Sequence, residues 1–145
     1  MQLTRYTDFG LRVLMYLTQA GARETPVTIP EIAERFAVSR NHMVKVVHFL
    51  GQQGWVATTR GKGGGLRLAH PPTAYRLGDL VHTLERQGQL INCAQPPCAL
   101  NGMCRLSGLL ADGLQVFFDT LNRHTLADLV RAPTGEAIVQ LYRAA

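Results

Sequence analysis

Apolar side chains between residues 6 and 19 recur at helical spacing. Phe9, Val13, Tyr16 and Leu17 in YTDFGLRVLMYLTQ predict a first helix, with Thr7 or Asp8 available to cap its start. Gly21 and Pro26 end that helix and open a polar loop. Thr28 then caps a second helix, TIPEIAERF, which accepts Pro30 in its first turn and turns Ile32, Ala33 and Phe36 inward. A break over Ala37 to Ser39 follows. Ser39 caps a third helix, RNHMVKVVHFLGQQG, which places Met43, Val46, Val47 and Leu50 inward and Arg40, Asn41, His42 and Lys45 outward.

The next stretch, WVATTRGKGGGLRLA, changes period. It reads as a strand from Trp55 to Thr59, a glycine-rich turn from Arg60 to Gly65, and a strand from Leu66 to Ala69. A nucleotide-binding glycine loop is a weak rival, because these glycines lie between strands and no G-K-[ST] follows. Helical pattern returns with Leu77, Leu80, Val81 and Leu84 and ends near Gly88. From Arg105 to Arg123 runs the longest helical pattern in the chain. Its Leu106, Leu110, Gly113, Leu114, Phe117 and Leu121 make it apolar over more of its circumference than one small domain covers, which predicts a dimer contact. Thr125 caps a short turn, TLADLV, and Gly135 to Tyr142 reads as a marginal tail.

Two short helices joined by a tight turn, followed by a basic hairpin, form a winged helix-turn-helix. The predicted fold is therefore mainly α: a winged helix-turn-helix with a two-stranded β wing and a long C-terminal dimerisation helix. It divides into a DNA-binding domain (1–88), a cysteine-rich loop (89–104) and a dimerisation helix with its tail (105–145). At 145 residues and 46% hydrophobic the chain has enough apolar material for a core. Charge sharpens the reading: between Arg35 and Gly78 stand seven basic residues and no Asp or Glu, the footprint of a polyanion partner. The candidate DNA contacts are Thr28, Ser39, Arg40, Asn41, His42 and Lys45, with Arg60 and Lys62 at the wing. No Ser/His/Asp set or paired-carboxylate cleft suggests an enzyme.

Every cysteine lies in NCAQPPCALNGMC, where Cys93, Cys98 and Cys104 are spaced C-x4-C-x5-C and Pro96, Pro97 and Gly102 forbid regular structure. Three thiols on one loop suit a soft metal or an iron-sulfur cluster, but a closed site needs a fourth ligand. That ligand is a non-cysteine side chain, an exogenous molecule or a residue of another subunit. One disulfide plus a spare thiol, three unrelated buried side chains, or a structural zinc remain as alternatives. Arg5, Asp8 and Arg12 interrupt any signal-like segment and no stretch is long enough to span a membrane, so a cytosolic protein is expected. Structural disulfides are rare there, which favours a cofactor.

The opening MQLTRYTDFGLRVLMYL, the stretch VSRNHMVKVVHFL, the wing RGKGGGLRLA, the three-cysteine loop and the late TLADLV resemble the iron-sulfur winged-helix repressors, above all those that sense nitric oxide. The resemblance runs from residue 1 to about Val130. It implies a homodimer with crossing long helices that binds operator DNA and releases it when nitric oxide attacks the cluster. It also implies one cluster per subunit, four-iron in preference to two-iron, held by Cys93, Cys98 and Cys104 with Asp8 of the partner subunit. From its own position Asp8 reads as a helix cap; only the resemblance makes it a ligand. The family's cluster-assembly regulators carry a histidine three residues after the third cysteine, where this chain has Ser107. A regulator of iron or redox status of that kind is the second expectation, and a zinc-stabilised DNA-binding module the third.

Overall fold

The structure, a computed structural model, describes residues 2–21, 23–86 and 89–143. Helix α1 (Arg5–Ala20) buries Val13, Leu14, Tyr16 and Leu17 and packs against most other helices. Its cap is Thr4, not Thr7 or Asp8: the Thr4 hydroxyl accepts the Thr7 N–H at 3.2 Å, which places Thr7 and Asp8 inside the first turn. Helix α2 (Ile29–Arg35) begins with a reciprocal capping box, in which Thr28 Oγ1 accepts the Glu31 N–H and the Glu31 carboxylate accepts the Thr28 N–H. It ends in a Schellman turn. Ala37 adopts a left-handed φ of 51°, the Val38 N–H bonds to Ala33 C=O and the Ala37 N–H to Glu34 C=O. That turn fixes the angle at which α3 (Arg40–Gln52) leaves α2. Ser39 occupies the cap position of α3 but its side chain makes no capping bond there.

Strands β1 (Val56–Thr58) and β2 (Leu66–Leu68) pair antiparallel, with Val56 opposite Leu68. They are shorter than the apolar pattern suggested, although the Thr59 N–H to Gly65 C=O and Ala69 N–H to Trp55 C=O bonds continue the ladder at both ends. The Leu66 N–H also bonds to Val27 C=O at 2.7 Å, which ties the wing to the loop before α2. Tyr75 holds its base: the hydroxyl donates to Trp55 C=O and accepts the His70 N–H.

Helix α4 (Leu77–Glu85) sends Leu80 and Leu84 into the main core and Leu77 and Val81 towards α5 (Arg105–Leu121). Gly88, where the sequence pattern placed the end of α4, lies outside the described residues. Leu114 and Phe118 of α5 close over Leu77 and Val81, so Leu114 belongs to a core within the chain and not to a free face. Helix α6 (Leu126–Leu129) begins with its own capping box from Thr125 and Asp128. The supposed tail is a helix, α7 (Thr134–Arg143). Ile138, Leu141 and Tyr142 recur at helical steps and dock on α1, and the Tyr142 hydroxyl donates to Tyr16 C=O. Among the described residues no helix is long and apolar enough to cross a membrane.

Candidate nucleic-acid interface and cysteine loop

The first turns of α3 project Arg40, Asn41, His42 and Lys45 into solvent, while Met43, Val46, Val47 and Leu50 are buried behind them. The helix is thus anchored on one side and free on the other, which suits entry into a major groove. Exposed Thr28 is engaged as the α2 cap, and exposed Ser39 sits where α3 begins. At the wing, Arg60 and Lys62 are exposed on a turn whose shape depends on glycine. Gly61 has φ 98°, and a Cβ on Gly64 would meet Thr59 C=O at 2.1 Å. The eight predicted DNA contacts therefore all reach solvent, six of them on the α2–α3 unit and two at the wing tip.

Two residues that the periodicity treated only as a helix end join this reading head to the cysteine loop. Glu85 Oε1 accepts the Thr4 N–H at 2.7 Å and the Thr4 hydroxyl at 3.2 Å. Arg86, left-handed at φ 55°, lays its guanidinium 4.4 Å from the Phe49 ring centroid and 5.2 Å from that of Tyr6. Their partners lie at residues 4, 6 and 49, so no local pattern announces them.

The loop itself is irregular, as its prolines required, and its hydrogen bonds are short-range. Asn92 Oδ1 accepts the Ala94 and Gln95 N–H groups, the Cys98 N–H bonds to Cys93 C=O and the Met103 N–H to Leu100 C=O. Cys93 and Cys104 are half-buried and Cys98 is exposed; all three are free thiols, with no disulfide. A cavity of about 430 Å³ opens beside Cys93, between Leu90, Ile91, Asn101, Ser107 and Leu110. Among the described residues, no three His, Cys, Asp or Glu side chains are gathered closely enough to hold a metal ion. The donor chemistry nevertheless fits soft iron. Three accessible thiols sit on a segment held mainly by its own turns, so they can converge without unpacking a core. Ser107 donates to Cys104 C=O at 2.8 Å, and its hydroxyl is a poor substitute for an imidazole. Asp8 lies on the exposed side of the first turn of α1, its Oδ1 bound by Arg12 Nε at 2.8 Å.

On α5 the predicted dimer residues divide. Leu114 is buried within the chain; Leu110, Phe117 and Leu121 are half-buried; Leu106 and Gly113 are exposed beside Leu109 and Val116, each of which is more than 60% exposed.

A family model described as "Rrf2: Iron-dependent Transcriptional regulator" matches residues 3–132. Solved structures with the same fold include the global cysteine regulator CymR of B. subtilis, 23% identical with TM-score 0.71, covering 89% of this chain and 95% of that one. IscR of T. potens is also 23% identical with TM-score 0.71 and covers 90% and 86%. CymR of Staphylococcus aureus is 22% identical with TM-score 0.64 and covers 85% and 93%. At these identities the likeness is one of fold.

Proposed function

Since this chain belongs to the Rrf2 family of transcriptional regulators, we propose that it is a homodimeric, cytoplasmic repressor of the nitric-oxide-sensing kind typified by NsrR. DNA-binding regulation, and not enzymatic turnover, is the role of the family. The observation that carries the DNA-reading part is the first turn of α3, with four polar or cationic side chains outward and a packed face behind. Two such helices in a dimer enter successive major grooves when they stand about 34–36 Å apart. The exposed stripe Leu106, Leu109, Gly113 and Val116 on α5, with Leu110, Phe117 and Leu121 at its edge, is the surface on which a second copy packs.

Cys93, Cys98 and Cys104, with Asp8 of the partner subunit, are the residues that would hold an iron-sulfur cluster, four-iron in preference to two-iron. When bound, it supplies iron with which nitric oxide reacts. The rest of the switch belongs to the chain. In sequence the loop begins three residues after Arg86, and Glu85 and Arg86 grip Thr4, Tyr6 and Phe49. Order or disorder in residues 89–104 therefore acts at the joint between α4, α1 and α3, and so on the separation of the two reading heads.

The test uses full-length protein purified without oxygen. Native mass spectrometry records its subunit number and bound mass, and fluorescence anisotropy follows a duplex enriched by the protein from a random-sequence pool. A dimer carrying two four-iron clusters that releases the duplex on addition of nitric oxide is expected. Release on iron removal but not on nitric oxide would replace the signal with iron status, as in the IscR-like alternative, and a colourless zinc dimer would discard the cluster.

A further inference from the structure

A concavity of about 290 Å³ lies where α1 meets α3, at the edge of the basic block of the sequence. Tyr6, Phe9 and Val46 form its apolar floor, and Arg5, His42 and Lys45 line it from two elements. Arg5, His42 and Lys45 are exposed, and among the described residues none is ion-paired. Arg86 does not line the cleft but stacks 5.2 Å from the Tyr6 ring, and among the described residues no carboxylate lines the cleft. Phe49 also packs edge-on against the tyrosine, at 5.8 Å, beneath the same Arg86 guanidinium. An aromatic and aliphatic floor with Arg5 and Lys45 at its rim matches a ligand that is apolar on one side and repeatedly anionic on the other.

We propose that this cleft seats the sugar-phosphate backbone of the DNA strand flanking the reading helix, with deoxyribose against Tyr6 and Phe9 and phosphates on Arg5 and Lys45. His42 and Lys45 belong at once to the cleft and to the outward face of α3, so the surface is continuous with the candidate reading surface. Charge favours DNA over the other occupant at hand, the cysteine loop of a second copy. Residues 89–104 contain no Asp or Glu to answer the cations. The inference rests on the DNA-reading assignment and extends its footprint from α3 and the wing to the start of α1.

The experiment compares wild-type protein with Arg5→Ala, Arg5→Lys and Lys62→Ala on the enriched duplex and on a scrambled duplex, across a range of salt. The same samples give dimer dissociation and thermal midpoint. Arg5 is exposed and its side chain makes no hydrogen bond among the described residues, so Arg5→Ala is expected to fold normally. It should weaken both duplexes on the order of threefold to tenfold and reduce the slope of log affinity against log salt by about 1, with Arg5→Lys close to wild type. An unchanged slope for Arg5→Ala beside a reduced slope for Lys62→Ala overturns the inference and leaves DNA reading intact. Unchanged slopes for both overturn the two together. A loss in Arg5→Ala that follows weaker dimerisation assigns the cleft to the second copy instead and also overturns the proposal.

Discussion

The reading head and the cysteine loop are held in opposite ways. Val13, Leu14, Tyr16, Ile32, Met43 and Leu50 are wholly excluded from solvent beneath α1, α2 and α3, so the presentation of Arg40, Asn41 and His42 is settled by packing within one chain. In residues 89–104 the large apolar side chains Leu90, Ile91, Leu100 and Met103 are exposed, and the backbone bonds close only local turns. A segment with so few buried contacts opens at low free energy. The contrast teaches that the proposed surface for DNA is built into the subunit, whereas the proposed sensing loop would be completed by a group added to it. That arrangement suits a switch, because an added group can change the loop without first unfolding the head.

The largest effect that tests this contrast comes from the core. Leu50→Ala, at a fully buried position of α3, is expected to cost about 2–5 kcal/mol in urea unfolding of the cofactor-free protein. Cys98→Ser, at an exposed loop position, should leave the same midpoint within about 0.5 kcal/mol. Comparable losses in the two variants would mean that the loop is part of the folded core and that the contrast is mistaken.

A smaller effect sharpens what holds the head. Glu31 of α2 accepts from Arg23 and from the Tyr16 hydroxyl, beside the Tyr142 ring of α7. Burial raises its pKa, but the hydrogen bonds from Arg23 and Tyr16 outweigh that and hold the carboxyl below its ordinary value. A depressed folded pKa contributes stability above the unfolded value of about 4.3, and that stability is lost as pH falls through the folded pKa. Denaturation at stepped pH should therefore show stability falling below about pH 5. Glu31→Gln should remove that part of the slope and cost on the order of 1.5–3 kcal/mol at neutral pH. An identical pH profile in the variant would show that the network contributes nothing to the head.

On DNA the two kinds of exposed residue should separate. Asn41→Ala is expected to lose about 1–3 kcal/mol on the enriched duplex and little on a scrambled one, while Lys62→Ala weakens both alike and lowers the salt slope by about 1. Equal losses on the two duplexes for Asn41→Ala would remove it from base readout and leave it a backbone contact.

How much of this was legible in the chain follows the same division. The stripes Met43, Val46, Val47, Leu50 and Ile32, Ala33 gave helix facing correctly because a buried side must repeat at the helical period. The wing was readable from Arg60 to Gly65, where only glycine-rich sequence makes that turn. Leu114 went astray because apolarity alone does not say whether a residue faces its own α4 or a second copy; only the docking of Leu77 and Val81 decides. Helix α7 was missed because its short apolar repeat acquires a partner only when α1 lies beside it. Glu85 and Arg86 were invisible for a related reason, their partners being 81, 80 and 37 residues away. The cysteine spacing named the donor chemistry but not the geometry, since the prolines that exclude a helix leave many loop paths open.

The smallest expected effect on folding bears most directly on the joint between the two regions. Asp8 is bound by Arg12 in an exposed i,i+4 pair, with side chains 44% and 40% accessible. Such a pair contributes only about 0.3–0.5 kcal/mol, so Asp8→Ala should unfold at nearly the wild-type urea concentration. Surrendering that pair to a metal costs equally little, which is the property a displaceable ligand from the partner subunit requires. If Asp8 completes the cluster site, the Asp8→Ala dimer should keep its head stability and its affinity for scrambled DNA, yet bind the enriched duplex with the same affinity before and after nitric oxide. A variant that retains the wild-type nitric-oxide response would remove Asp8 from the site. The fourth ligand would then have to come from an exogenous molecule or another side chain, and the link between the loop of one subunit and the head of the other would rest on α5 alone.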